Sequence, residues 1–234
     1  YKRPNRNLFM DHIHSLLHEF ELNQSHTVTF ANQIILKEKQ WCVRLSNQQF
    51  LKSDYVVIAN GCNHEPYIPS TFKNAPDVSH IFDSEIDIDK IVSHVVGSGI
   101  SAAHLTLKLL KKQAHSIIHL WTNKPLDVHD FDADAGWLGP KKMTPFNNIV
   151  DPKTKLAIIK EERHQGSMPK ELYLRLKKYV KQGRLMIHIN ELKEIHRHHI
   201  YTDHHSIYYD HIFLATGFKD TIMQQPIIKQ LVQL

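Results

Sequence analysis

The sequence predicts an α/β protein, a three-layer sandwich around a parallel sheet, with a separate β-meander. Three observations predict this class. Short apolar runs alternate with helical segments in the second half of the chain, as in βαβ units. A turn of small residues, VVGSGISAA, joins one of these runs to a helix. In the first half, several runs rich in β-branched and aromatic residues follow one another without a helix between them.

The first part of the chain predicts a helix followed by the meander. Apolar side chains recur every three or four residues from Asn5 to Phe20, which predicts an amphipathic helix. Residues 27–59 carry short β-rich runs separated by polar pairs, which predicts three or four strands, the last one buried at Tyr55–Ala59. We expect the meander from Thr27 to Leu45 to lie outside the parallel sheet.

The second part predicts the parallel sheet. IVSHVVG and SIIHLWT read as buried strands on either side of a helix from Ser101 to Ala114. RLMIHI, EIHRHHIYT and SIYYDHIFLATG supply the last strands. We expect Val95, Ile117 and Phe213 to lie on neighbouring strands of one sheet.

The remaining segments predict loops and one more helix. EPYIPS and NAPDVSH read as proline-containing loops, and residues 125–164 read as a long functional excursion with weak periodicity. Ser167 is expected to cap a helix that has Pro169 in its first turn and ends at Gly183.

Composition narrows the class of protein. The 234 residues are 41% hydrophobic and carry a formal charge of +5. Lys and Arg are scattered on helical faces, which predicts no nucleic-acid partner. The absence of an apolar run near ~18 residues and of a cationic leader predicts no membrane association and a cytoplasmic location. Cys42 and Cys62 are expected to be reduced thiols without dithiol chemistry.

The strand, small-residue turn and helix around residue 97 form a dinucleotide-binding pattern, G-x-G-x-x-A. The first glycine permits a tight turn, the second lets the backbone approach a pyrophosphate, and the alanine lets helix and strand pack closely. The helix N-terminus then offers N–H groups to the phosphates. The alternative is a tight βα turn without a ligand. The predicted cofactor-binding residues are Gly97, Ser98, Gly99, Ile100, Ser101 and Ala102.

Lys124 indicates which nucleotide this turn would hold. An NAD site places Asp or Glu at the end of the second strand, about 20 residues on, to bind the ribose hydroxyls. This chain has LWTNKP there, with a lysine and no acid. A cation accommodates a 2′-phosphate, so the pattern favours NADP(H). The alternative is an ordinary exposed lysine.

The ordered series VVIANG, VVGSGISAA, HDFDADAGWLGPK and FLATGF resembles flavin-dependent monooxygenases, the group that includes lysine and ornithine N-hydroxylases. The resemblance covers most of the chain. It implies a Rossmann-like FAD/NAD(P)-binding fold in which NADPH reduces FAD and the flavin then oxygenates an amine or another small nucleophile. The resemblance also adds four residues, which lie in VVIANG and FLATGF, to the predicted cofactor-binding set: Asn60, Gly61, Thr216 and Gly217.

The resemblance also divides the chain. Residues 1–88 resemble part of an FAD-binding domain, residues 89–217 an NADP(H)-binding domain, and residues 218–234 the return to the FAD domain. The family's first dinucleotide turn is expected before Tyr1, so FAD is expected only in the intact protein and the purified chain should be colourless. No catalytic side chain is assigned. A non-catalytic nucleotide-binding relative is the alternative function, and a disulfide reductase is disfavoured because a C-x-x-C is missing.

Two further patterns raise the question of a metal, and we predict none. His196 and His198 could share one face of a hairpin, but a solvated hairpin explains them better. Carboxylates alternate in VHDFDADAGWLGPKK like part of a Ca²⁺ loop, although its central glycine and closing glutamate are misplaced. Two interpretations of this segment stay open, an acidic surface loop pinned by Trp137 and a loop on the nicotinamide or substrate side.

Overall fold

The structure, a computed structural model, describes residues 5–61, 63–83 and 93–233. The chain divides into two compact units, one made of Tyr1–Cys62 with Asp220–Leu234 and the other of Asn63–Lys219. The functional boundaries drawn at residues 88 and 217 stay a prediction, and the first of them lies outside the described residues, as does Cys62. In the described ranges, no helix has both the length and the apolarity needed to cross a membrane.

The elements of the described residues follow in chain order. The helices are α1 (Arg6–Glu19), α2 (Ile100–Lys112), α3 (Pro140–Asn147), α4 (Pro152–Glu162), α5 (Lys170–Lys181) and α6 (Pro226–Val232). The strands are β1 (Ala31–Lys37), β2 (Gln40–Leu45), β3 (Phe50–Ser53), β4 (Val78–His80), β5 (His94–Val96), β6 (Ile118–Thr122), β7 (Leu185–Ile189), β8 (Glu194–His196), β9 (His199–Tyr201), β10 (Ser206–Tyr208) and β11 (Ile212–Leu214).

The first unit contains the predicted helix and meander. Strands β1, β2 and β3 form an antiparallel sheet of their own, which confirms that the meander lies outside the parallel sheet. Ile34, Cys42 and Leu45 are its buried side chains. Helix α1 forms where it was predicted, with the Asn5 side chain accepting a hydrogen bond from the Asn7 amide.

The predicted fourth strand of the first unit is wrong. Residues 55–59 form no strand, and Tyr55 and Val57 are 87% and 89% exposed. An apolar, β-branched run has the propensity for a strand, but a strand exists only when a second strand takes up its backbone hydrogen bonds. Among the described residues of this unit, no strand lies beside residues 55–59.

The second unit is built on a five-stranded parallel sheet with the strand order β4-β11-β5-β6-β7. Phe213 pairs with Val95, and Val95 pairs with Leu120. These pairs confirm the predicted neighbouring strands, with Ile117 directly before β6. Helices α2 and α5 cover one face, and their inward side chains form a core with Val95, Leu120 and Phe213.

The other face of this sheet carries the third layer. Strands β10, β9 and β8 form an antiparallel sheet, and Ile200 and Tyr209 pack against Trp121, Ile212 and Leu214 of the parallel sheet. Helices, parallel sheet and antiparallel sheet therefore form the predicted three-layer sandwich.

Two local predictions in this unit are wrong. The segment NAPDVSH is not all loop, because β4 pairs with β11 there. Ser167 does not cap α5, since Pro169 occupies the cap position.

Two other segments are explained by the structure. Residues 125–164 contain α3 and α4, whose described side chains include none that is buried, which accounts for the weak periodicity of this segment. The shared face considered for His196 and His198 does not form, because His198 lies in the β8–β9 turn at φ 62°. The helix end at Gly183, φ 67°, is as predicted.

Candidate functional site

The glycine turn, residues 97–102, connects β5 to α2 at the carboxyl end of the sheet. Gly97 has φ +142°, and a Cβ added there would lie 2.5 Å from the carbonyl oxygen of Ala215 and 3.2 Å from the Cβ of Ala102. Ala215 lies this close because its amide donates to the Val96 carbonyl at 2.7 Å. Ala102 is fully buried between helix and strand. Gly97 and Ala102 are therefore required by the packing of the turn itself.

The N-terminus of α2 fits an anion. Gly99 occupies the cap position without a side chain to accept from the first amides, and the first turn contains no acidic residue. The first hydrogen bond of the helix runs from the Ala103 amide to the Gly99 carbonyl at 3.0 Å, so the amides of Ile100, Ser101 and Ala102 precede it. Uncapped amides at the positive end of a helix are the donors that a pyrophosphate takes.

Lys124 is held beside the glycine turn. The Thr122 hydroxyl donates to the Lys124 carbonyl at 2.7 Å, which fixes the backbone after β6. The Lys124 ammonium donates to the Gln165 carbonyl at 2.9 Å. The next residue, Gly166, has φ +77°, and a Cβ there would lie 3.0 Å from the Ser98 hydroxyl and 3.9 Å from the Lys124 Nζ. The lysine, the glycine turn and residues 165–166 thus form one cluster.

Gly166 and the Gln165 carbonyl are the parts of this cluster that the sequence did not reveal. They lie about 40 residues after Lys124 in the chain, and only the tertiary structure brings the two together. The available signal was the segment RHQGSMP, which could contact a nucleotide phosphate, although helix capping by Ser167 was the preferred interpretation of this segment.

The other predicted residues are divided between the two units, and two of them come directly after Ala215, whose carbonyl lies against Gly97. Thr216 and Gly217 follow β11, where the Thr216 hydroxyl and the Gly217 carbonyl are hydrogen-bonded to the Tyr67 backbone. Asn60 and Gly61 belong to the first unit, and both are hydrogen-bonded to the Gln225 side chain. The assignment of these four residues to a cofactor stays a prediction.

The acidic segment after β6 is pinned by side-chain contacts, and its place on the nicotinamide or substrate side stays a prediction. Asp132 forms an ion pair with Arg163 at 2.6 Å, and Asp134 accepts from the Gly136 amide at 2.7 Å. The Trp137 indole donates to Glu162 at 3.1 Å. Hydrogen bonds from Lys142 and then from Trp137 lower the pKa of that carboxyl. The carboxylates of Asp132 and Asp134 therefore have separate partners in the structure.

A feature that the sequence analysis missed lies between the two sheets. His94, His119 and His188, from β5, β6 and β7, form a row of stacked rings together with Trp121; we call these three residues the histidine row. The Trp121 indole donates to His94 Nδ1 at 3.0 Å, and His94 Nε2 lies 3.2 Å from the Tyr208 carbonyl. Since an indole only donates and a carbonyl only accepts, His94 is the neutral tautomer with its proton on Nε2.

The rest of the row is also hydrogen-bonded. His188 Nδ1 lies 3.0 Å from Glu191, and His188 Nε2 lies 2.9 Å from His119 Nδ1. Burial, and then the charge of His119, lowers the pKa of His94 to about 3. Burial, and then the charge of His188, lowers the pKa of His119 to about 4. The row is a hydrogen-bonded polar layer inside the sandwich, on the face opposite α2, and its members His94 and His119 are neutral at pH 7.

Comparison with known proteins identifies the fold. No family model matches the sequence, and no curated protein is significantly similar to it. Among solved structures, the ornithine hydroxylase of Pseudomonas aeruginosa matches at 14% identity and TM-score 0.63, over 98% of this chain and 63% of that one. The ornithine N-hydroxylase of Kutzneria sp. 744, solved with reduced FAD, NADP⁺ and L-ornithine, matches at 17% identity and TM-score 0.63, over 98% and 62%.

Other oxidoreductases share the architecture. The bacillithiol disulfide reductase of Staphylococcus aureus matches at 13% identity and TM-score 0.55, over 97% of this chain and 60% of that one. The chain spans 60–63% of the length of these three structures. The likeness shows the FAD/NAD(P)-binding fold of flavin-dependent monooxygenases, and because that fold hosts several reactions, function has to be argued from the site.

Proposed function

We propose that residues 89–217 form the NADP(H)-binding domain of a flavin-dependent oxidoreductase of the monooxygenase type. The observation that carries the proposal is the cluster at the start of α2, in which uncapped amides and the Lys124 ammonium lie on either side of residues 165–166. The cluster offers two anion-binding features, one for a pyrophosphate and one for a second phosphate.

Each residue of the cluster has a distinct part in binding. The amides of Ile100–Ala102 donate to the pyrophosphate, and the lack of a side chain at Gly99 keeps the approach to them open. Lys124 meets the 2′-phosphate and exchanges its bond to the Gln165 carbonyl for a stronger, charge-assisted one. NADPH, when bound, supplies a hydride.

The role of the whole protein rests on the related structures and on the order of the motifs. In the intact protein, residues 1–88 and 218–234 belong to the FAD domain, Asn60, Gly61, Thr216 and Gly217 lie at its cofactor, and the substrate is an amine or another small nucleophile. The Kutzneria enzyme, solved with FAD, NADP⁺ and L-ornithine, supports this assignment.

Two substitutions test the nucleotide site by calorimetry with NADPH and NADH. Gly99→Val should abolish binding of both nucleotides, since the side chain fills the space that the phosphates need. Lys124→Ala should weaken NADPH by about 1–2 kcal/mol, the scale of a charge-assisted hydrogen bond, and leave NADH nearly unchanged.

A control variant distinguishes the loss of a direct contact with the 2′-phosphate from the loss of one positive charge elsewhere on the protein. Lys111→Ala removes one positive charge from the exposed last turn of α2 and should leave both affinities unchanged. A Cβ at Gly99 would lie 3.4 Å from the Gly166 Cα, so Gly99→Ala, with circular dichroism as a folding check, accompanies the valine variant. Equal losses for both nucleotides in Lys124→Ala would refute the 2′-phosphate assignment, and no binding by the unaltered chain would refute the proposed site.

A further inference from the structure

Three potential metal ligands converge at the start of the acidic segment. Asp127, His129 and His164 each place one ligand atom so that these atoms all lie within 4.8 Å of one another. Asp127 Oδ1 lies 3.0 Å from His129 Nε2. The imidazole rings of His129 and His164 face each other, with centroids 3.5 Å apart and planes 4° from parallel.

The backbone fixes the positions of these side chains. Val128 and Met168 form a parallel bridge, in which the His129 amide donates to the Met168 carbonyl at 3.0 Å and the Met168 amide to the Asp127 carbonyl at 2.9 Å. Met168 is fully buried and anchors this bridge in the core. The Ser167 amide donates to the His164 carbonyl at 3.0 Å, which holds the third side chain beside the bridge. A ligand therefore meets side chains whose backbone is already ordered.

We propose that Asp127, His129 and His164 bind a divalent cation of the Zn²⁺ type. Two imidazole nitrogens and one carboxylate oxygen are ligands that Zn²⁺ takes, and a water completes a four-coordinate site. Ligands about 2.1 Å from a tetrahedral zinc lie about 3.4 Å from one another. The ligand atoms therefore have to close by at most about 1.4 Å. Because an imidazole nitrogen binds a metal in the plane of its ring, the stacked rings of His129 and His164 also have to turn out of their parallel arrangement. Rotation about the soft terminal torsions of the side chains allows both movements.

The three proposed ligands are accessible to a cation, and a carboxylate near them already has another partner. The side chains of His129 and Asp127 are 37% and 38% exposed, so a cation and its water can enter. The neighbouring carboxylate, Asp132, already pairs with Arg163 and is not counted as a ligand. His164 begins the stretch that continues through Gln165 and Gly166, so a cation here ties down the same backbone that receives Lys124.

The probe is Zn²⁺ alone, titrated by calorimetry into the tag-free chain, with Co²⁺ as a spectroscopic substitute. We expect one Zn²⁺ per chain, and a coloured Co²⁺ complex whose visible bands report nitrogen and oxygen ligands. His164→Ala and Asp127→Asn should each weaken Zn²⁺ at least tenfold and remove the Co²⁺ bands. Thermal melting without metal checks that both variants are folded, which their half-exposed positions favour.

The chain has 19 histidines, so a matched control tests whether Zn²⁺ binds to histidines outside the proposed site. His196→Ala combined with His204→Ala removes two exposed histidines of the antiparallel sheet region and should leave the single site unchanged. Zn²⁺ binding that survives in His164→Ala, or that disappears in the His196 and His204 variant, would overturn the assignment. Loss of NADPH binding with intact Zn²⁺ binding would count against the proposed function and leave this site standing.

Discussion

Gly97→Ala should lower the free energy of unfolding by about 3–5 kcal/mol, from strained backbone and overpacking together, a large share of the 5–15 kcal/mol typical of a domain. The new Cβ would lie 2.5 Å from the Ala215 carbonyl oxygen, and the residue has φ +142°, which side-chain-bearing residues rarely adopt. The carbonyl cannot retreat without cost, because Ala215 is hydrogen-bonded to Val96 across two central strands. Urea unfolding followed by circular dichroism measures the loss.

Gly183→Ala is the matched control for this substitution. Gly183 also has a positive φ, +67°, but a Cβ there would meet nothing within 4 Å. Its cost should be the conformational one alone, about 1–2 kcal/mol. If the two variants were equally stable, the contact with Ala215 would have no energetic weight and the packing argument for Gly97 would fail.

Acidification from pH 7.5 to 5 should lower the free energy of unfolding by about 4 kcal/mol through two members of the histidine row. The pKa of His94 is about 3 and that of His119 about 4 in the folded chain, against 6.5 for an unperturbed histidine. Below pH 6.5 these two histidines are protonated in the unfolded chain and stay neutral in the folded chain. The contribution to stability is therefore nearly complete at pH 7.5. It decreases as the pH falls through 6.5, with a slope that approaches about 1.4 kcal/mol per pH unit for each group near pH 5.

Denaturant unfolding at a series of pH values between 5 and 7.5 measures this slope. His119→Gln replaces one titrating ring by an amide that can still donate to His188, and it should remove about half of the slope. His204→Gln, in an exposed turn, should leave the slope unchanged. A chain as stable at pH 5 as at pH 7 would mean that His94 accepts a proton, and hence that the Trp121 bond is not maintained.

The sequence was most informative where structure is determined locally. The turn from Gly97 to Ala102 was predictable because its packing requirements fall on residues within six positions of one another. The same holds for Gly183, which ends its helix through its own backbone conformation. Lys124 was identified as a candidate from its distance along the chain, but its partner, the Gln165 carbonyl, was not.

Where the partner of a residue is remote in the chain, the structure was not predictable from the sequence. Strand β4 is three residues long and exists because β11 pairs with it, so no periodicity marks it. Residues 55–59 have strand propensity, but no described strand lies beside them in their unit. The histidine row is not evident from the sequence, because its members lie on three strands that are distant from one another in the chain. Aligning HVV, IHLWT and LMIHI as neighbours would have placed the three rings on one face.

The contact between Gly97 and Ala215 bears on how related chains are to be compared. The glycine is needed by the junction of two strands, so a descendant that had lost its nucleotide would still retain Gly97 and the small residue at 102. In the proposed nucleotide site, Gly99 and Lys124 are needed for the ligand and not for the packing of the turn, since a Cβ at Gly99 would meet only ordinary contacts. In an alignment of divergent relatives, a search for the dinucleotide-binding pattern alone would therefore also select chains that do not bind a nucleotide. Relatives that no longer bind a nucleotide are expected to have substitutions at positions 99 and 124 and to keep the glycine at position 97.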